Sequence, residues 1–122
     1  MPNPEKMTAA VDAYISAFAN GDPDQVADLF AESGSTVEDP IGSPIHHGRA
    51  AIRAFYAASM GGGAKLMLER PVGIAGDYAA FSFSVNLPTG QHIDVIDTFK
   101  FDGNDQIVEM RAFWGPTNMQ GF

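Results

Sequence analysis

Cysteine is absent from the 122-residue chain, which excludes a disulfide scaffold, a thiolate zinc site and a cysteine nucleophile. Basic residues are scarce: 7 Lys and Arg stand against 15 Asp and Glu, a formal net charge of −8. That balance repels phosphate backbones and anionic lipid, so it argues against nucleic acid and membrane surfaces as partners. Long apolar runs are missing as well. The longest, Ala54 to Ala58, has five residues, against the roughly 20 that a membrane span needs. The stretch from Met1 to Met7 carries Glu5 and Lys6 and no apolar segment, so no signal peptide is expected. Of 3 histidines, two are adjacent in a Gly/Pro-rich loop, His46-His47, which reads as a solvated loop rather than a metal site. Gly61-Gly62-Gly63 lacks the Lys-Ser/Thr of a phosphate loop and reads as a helix stop. No G-x-S-x-G nucleophile elbow occurs. These absences leave a soluble, cytoplasmic domain, with residues 1–122 read as one unit.

What is present suffices for a core: 45% of residues are apolar. The first half carries helical spacing and the second half strand spacing, the pattern of an α+β domain. Met7, Val11, Tyr14, Ile15 and Phe18 recur on one helical face, and Asn20-Gly21 ends that helix. Asp22 as N-cap, Pro23 at N1 and Gln25 at N3 start a second helix with a capping box, whose buried stripe would be Val26, Leu29 and Phe30. After the loop from Pro40 to Gly48, Ile52, Phe55, Tyr56 and Ser59 mark a third helix.

From Lys65 the period changes to two. Lys65 to Glu69 is a short strand. Ala79, Phe81, Phe83, Val85 and Leu87 form the inward face of the next, and Ile93, Val95, Asp97, Phe99 and Phe101 that of a third. Asp102-Gly103-Asn104-Asp105 is a hairpin turn, and Val108, Met110, Ala112 and Trp114 form the last inward stripe. Four antiparallel strands curling around three helices make a one-sided cone with an apolar interior.

Three polar residues fall on apolar faces. Asp97 is in register with Val95 and Phe99, so its carboxyl points into the core, where an ionised and unpaired carboxylate costs several kcal/mol and a protonated one is favoured. Tyr14 lies on the apolar stripe of the first helix, and its hydroxyl needs a partner. Asp39, in Thr36-Val37-Glu38-Asp39-Pro40, shares a face with Val37 if that segment is extended, as a following Pro favours. A small apolar cone holding all three is a candidate site for a flat apolar ligand. The aromatic set Phe81, Phe83, Phe99, Phe101, Phe113 and Trp114 would supply both core and pocket walls.

At these residues the chain resembles the bacterial ketosteroid isomerases (steroid Δ5-3-ketoisomerases) of the NTF2-like, or cystatin-like cone, superfamily. The resemblance runs nearly end to end. It is carried by Asp12-Ala13-Tyr14-Ile15, Thr36-Val37-Glu38-Asp39-Pro40 and Ile52-Arg53-Ala54-Phe55-Tyr56, then by Val95-Ile96-Asp97-Thr98-Phe99-Lys100-Phe101 and Met110-Arg111-Ala112-Phe113-Trp114-Gly115.

The resemblance implies three N-terminal helices packed in a curved, mainly antiparallel sheet. It implies a steroid substrate, with Asp39 as the general base moving a proton from C4 to C6 and Tyr14 and Asp97 as donors to the C3 oxygen. Asp97 must be protonated to donate, a division of labour that belongs to the family and is carried over with the resemblance. Tyr56 matches the tyrosine supporting Tyr14. Phe83, Met110 and Trp114 match apolar residues around the reacting end of the steroid. No cofactor or metal is implied, and a homodimer is, for which the open sheet face bearing Thr98, Glu109, Arg111 and Phe113 is the candidate surface. Phe30 stands where some relatives carry a second network tyrosine, so that network is shorter here. The alternatives are another NTF2-like enzyme acting on a polycyclic ketone, such as a polyketide cyclase, and a binding protein without turnover. An epoxide hydrolase would want an Asp-Arg-Asp set around a water, and Arg111 lies on the face opposite Met110.

Overall fold

Helix α1 (Pro4–Asn20) begins where Asn3 accepts hydrogen bonds from the Glu5 and Lys6 backbone N–H groups with its side-chain oxygen, and where Pro4 fills a first-turn position that needs no donor. It ends at Gly21, whose φ of 61° is the left-handed turn that glycine adopts without strain. Between these stops Met7, Ala10, Val11, Tyr14, Ala17 and Phe18 are buried. The computed structural model describes residues 2–122.

Helix α2 (Pro23–Ala27) is shorter than its apolar spacing suggests. Asp22 caps it, accepting from Asp24 and Gln25. The capping box closes only halfway, because Gln25 turns its side chain to the Ala13 carbonyl of α1 and to Asn20. Leu29 and Phe30 therefore lie beyond the helix. Phe30 forms an isolated parallel bridge with Ile107 and is fully buried. Helix α3 (Gly48–Met60) buries Ile52 and Tyr56.

The sheet has eight strands where the alternation marks four, the others being too short to show a period. They are β1 (Thr36–Glu38), β2 (His46–His47), β3 (Lys65–Leu68), β4 (Gly73–Ala75), β5 (Tyr78–Asn86), β6 (His92–Phe101), β7 (Ile107–Phe113) and β8 (Met119–Gln120). Their order is β2-β1-β7-β6-β5-β3, with β4 beside β5 and β8 beside β6. All neighbours are antiparallel except β1 and β7, which run parallel with Val37 opposite Met110.

A register shift between Lys100 and Phe101 puts Phe101 opposite Ile107 rather than Val108. Such a bulge re-aims side chains. Ile107 is consequently buried and Val108 only half-buried, the reverse of the simple alternation. The helices cover one face of this sheet, and the core between them runs from Met7 and Val11 to Phe99, Met110 and Ala112. Among the described residues no helix is long and apolar enough to cross a membrane.

Candidate active site

The inward face of β6 descends through Ile93, Val95 and Asp97. The first two line a cavity of about 270 Å³ bounded by α1, α3 and the sheet. At about 3.3 Å of rise per residue, Asp97 lies some 13 Å along the strand from Ile93. Its carboxyl is fully buried, and neither oxygen has a hydrogen-bond partner in the protein. Its strand neighbours are Phe81 and Ala112, which offer none. Burial raises its pKa well above the ordinary carboxylate range and the charge of Asp39 adds to the rise, while the nearby Tyr14 hydroxyl opposes it. Both causes of the rise favour the neutral form of Asp97.

Tyr14 reaches the same region from α1. Edge-on contacts with Phe18, Tyr56, Phe81 and Phe99, at centroid distances of 5.2–6.0 Å, fix its ring. Its hydroxyl lies 3.2 Å from that of Tyr56 on α3. Burial first, and neighbouring negative charge second, push both phenol pKa values up, so both remain protonated donors. Phe30 packs its ring 6.3 Å from that of Tyr56, so the hydroxyl pair is not extended in that direction.

Asp39 follows directly after β1 and is half-buried. Its segment is anchored to the last long strand: Ile41 donates its backbone N–H to the Ala112 carbonyl at 3.0 Å, continuing the parallel ladder. Gly42 donates to the Glu38 carboxylate at 2.9 Å and closes the following turn. Asp39 Oδ1 accepts from Trp114 Nε1 at 2.7 Å, a distance typical of a charge-assisted bond. Partial burial raises the Asp39 pKa, whereas the Trp114 bond and the His46 ring pull it down. Two carboxyls thus share one small site with opposite supports. No donor lies within hydrogen-bond distance of Asp97, whereas Trp114 is bonded to Asp39, so the ionised form is better supported at Asp39 than at Asp97.

Of the residues marked from sequence, Tyr14, Asp39, Tyr56, Phe83 and Trp114 line the cavity. Asp97 is fully buried and is not among the lining residues, although Val95, two residues away on the same face of β6, is. Met110 does not reach it: opposite Val37 on one side and Phe99 on the other, it is fully buried in the core. Like Asp97, it stands behind the lining rather than in it. Trp114 does more than pack, because its indole N–H holds Asp39. Phe18, Phe55, Leu66 and Val85 add apolar wall, and Ser59 adds a hydroxyl. An i, i+3 or i, i+2 stripe marks these as inward but does not separate pocket from core. Among the described residues no cluster of three or more His, Asp or Glu side chains is arranged to hold a metal ion.

Comparison with known proteins adds an independent line. Residues 11–110 match the SnoaL-like domain family. The steroid Delta-isomerase of Nocardioides simplex is 41% identical over 117 residues, covering 93% of this chain and 94% of that one. The epoxide hydrolase/cyclase-like enzyme SalBIII, studied for pyran ring formation in the polyether salinomycin, superimposes with a TM-score of 0.87 at 25% identity, over the whole of both chains. With the curved sheet, the three helices and these matches in hand, the chain belongs to the SnoaL-like, NTF2-like family.

Proposed function

We propose that the protein is a cofactor-independent steroid Δ-isomerase converting 3-oxo-Δ5-steroids into 3-oxo-Δ4-steroids. The ionised Asp39 carboxylate removes a proton from C4, which the adjacent C3 carbonyl acidifies. The electrons move onto the C3 oxygen, giving a dienolate. Tyr14 and neutral Asp97 donate hydrogen bonds to that oxygen, and Asp39 returns the proton to C6. The proton is conserved and no redox change occurs, so the sum is a transposed double bond.

The observation that carries this reading is the buried, partnerless Asp97 carboxyl beside Tyr14. A buried polar group without a partner is rare, and a ligand oxygen at that point would satisfy both donors. In a dry site, preset donors aimed at developing charge are worth far more than in water. The apolar walls suit a flat polycycle with few polar handles, and the 41% identity to the Nocardioides simplex steroid Delta-isomerase supports the substrate class. The proposal includes a cytoplasmic setting and a homodimeric assembly.

The test is conversion of a 5-ene-3-keto steroid to its 4-ene isomer, followed by enone absorbance. Wild-type turnover should fall in Asp39→Asn by about 10² to 10⁴-fold, the range for one general base. Steroid binding without turnover in either protein would turn the reading to a binding protein. Absence of both would turn it to a different polycyclic substrate.

A further inference from the structure

The chain beyond Trp114 is not explained by the sheet or by the proton transfer as described. Strand β7 ends at Phe113 opposite Ile96, and β8 rejoins β6 with Met119 opposite Ile93. Two residues of β6, Asp94 and Val95, thus face five of the returning chain, 114–118. The surplus leaves the sheet as a loop that contains the single 3₁₀ turn Pro116–Asn118. Trp114 is the first residue of this loop and lines the cavity together with Ile93 and Val95. Pro116 and Thr117 are exposed, whereas Trp114, Gly115 and Asn118 are half-buried. Both main-chain polar groups of Gly115 go to Asn118. The Gly115 N–H donates to Asn118 Oδ1 at 2.8 Å, and the Gly115 carbonyl accepts the Asn118 N–H at 2.9 Å. A looped-out segment has many conformations to lose, and here one side chain closes it at the residue next to the indole.

We propose that Asn118 is a positioning residue, which by closing the turn on Gly115 holds the Trp114 indole N–H on the Asp39 carboxylate. The inference rests on Asp39 being the base. The route is continuous: Asn118 Oδ1 accepts from Gly115, Gly115 is the chain neighbour of Trp114, and Trp114 Nε1 donates to Asp39 Oδ1 at 2.7 Å. A displacement of the indole by about 1 Å is enough to lose that bond, since a contact beyond about 3.6 Å no longer counts as one. The titratable groups that interact with Asp39 are Tyr14 on α1, Tyr56 on α3, His46 on β2 and Asp97 on β6. Asn118 is hydrogen-bonded to none of them, so its effect on Asp39 passes through Trp114.

Trp114 is the single tryptophan of the chain, so its indole N–H gives one ¹⁵N–¹H signal that reports the bond without turnover. The experiment records the shift and hydrogen exchange of that signal, and kcat/KM against pH, for wild type, Asn118→Ala and Asn118→Asp. It repeats the alanine change in a Trp114→Phe background. In Asn118→Ala the indole proton should move upfield and exchange faster. The acidic limb should shift to higher pH, with a loss near neutrality of at most about tenfold, the scale of one hydrogen bond to a charged group. Asn118→Asp keeps an acceptor for the Gly115 N–H and should restore the indole signal. In the Trp114→Phe background the alanine change should leave the limb where Trp114→Phe puts it, because there is no indole left to place. A lowered melting temperature with an unmoved indole signal would overturn the proposal, as would a further displaced limb in the double variant. Should Asn118→Ala fail to fold, Asn118→Ser, with its oxygen drawn back toward the main chain, takes its place in each comparison. If the wild-type protein does not isomerise the steroid, the isomerase reading fails. The indole signal alone then decides the positioning: a displaced signal in Asn118→Ala supports it, and an unmoved one overturns it.

Discussion

The indole of Trp114 donates to the carboxylate of Asp39 at 2.7 Å across 75 positions of chain. This bond connects the residue after β1 to the residue after β7 and opposes the upward pull that burial exerts on Asp39. It gives one carboxyl of the site a reason to be charged that the other lacks.

Trp114→Phe keeps most of the wall and removes the donor. The Asp39 pKa should rise, because burial is then opposed by His46 without the indole bond. A base with a raised pKa is protonated over more of the acidic range, so the acidic limb of kcat/KM should move to higher pH. Near neutrality the loss should be about tenfold, in keeping with roughly 1.5 kcal/mol for a hydrogen bond to a charged group. A pH–rate profile unchanged from wild type would show that the bond does not govern the base.

Removing the proposed oxyanion donors should separate direct from indirect contacts. Tyr14→Phe and Asp97→Asn should each lower kcat by about 10² or more, the usual effect of one such donor. Tyr56→Phe removes only the partner of Tyr14 and should cost about tenfold or less, the scale of one neutral hydrogen bond. Steady-state kinetics on the three variants checks the order. A loss under tenfold in both Tyr14→Phe and Asp97→Asn would mean the donors are wrongly assigned.

Asp97 should also leave a mark on stability. Its pKa is raised in the folded protein, so between the unfolded and folded values the native state binds the extra proton. Stability from this group is therefore greatest below its unfolded pKa and is lost as pH rises toward the folded one, by about 1.4 kcal/mol per pH unit within that window. Asp97→Asn cannot titrate. The difference in melting temperature, variant minus wild type, should grow more positive as pH rises from acid toward neutral. A difference independent of pH would contradict the buried, raised carboxyl.

The outer face of the sheet exposes Ile96 and Phe113 as a directly paired couple, 51% and 46% accessible. Exposed apolar pairs on a sheet face suit a second copy of the chain, in keeping with the proposed homodimer. Sedimentation should give a dimer at micromolar concentration, and Ile96→Glu should shift it toward the monomer. A monomer throughout for the wild type would remove the dimer from the proposal.

The parts of this molecule written in local periodicity were legible in the sequence. Tyr14 on a helical stripe and Asp97 on an alternating one are polar residues in apolar positions, and the structure buries both. Periodicity also located the long strands, and Asn20-Gly21 marked the end of α1, whereas its cap at Asn3 was found only in the structure. It did not carry information on register between distant segments. The bulge between Lys100 and Phe101 exchanged the burial of Ile107 and Val108, because one extra residue inverts the faces beyond it. The parallel pairing of β1 with β7 was likewise invisible, since three residues of strand have no measurable period. With it went the Trp114–Asp39 bond. Met110 shows the converse limit: an inward position says that a residue is buried, not whether it faces core or cavity.

The strand order has a consequence for how the site is assembled. Strand β1 has β2 on one side and β7 on the other, so its only tie to the rest of the sheet is a segment near the end of the chain. During synthesis, the helix bearing Tyr14 and the strand bearing Asp97 both emerge before β7. The segment bearing Asp39 emerges early and can pair with β2, but it joins the long strands of the sheet only when residues 107–113 follow. Tyr14 and Asp97, the proposed oxyanion donors, can therefore be set into a nascent core while Asp39, the proposed base, still waits for the last long strand to leave the ribosome.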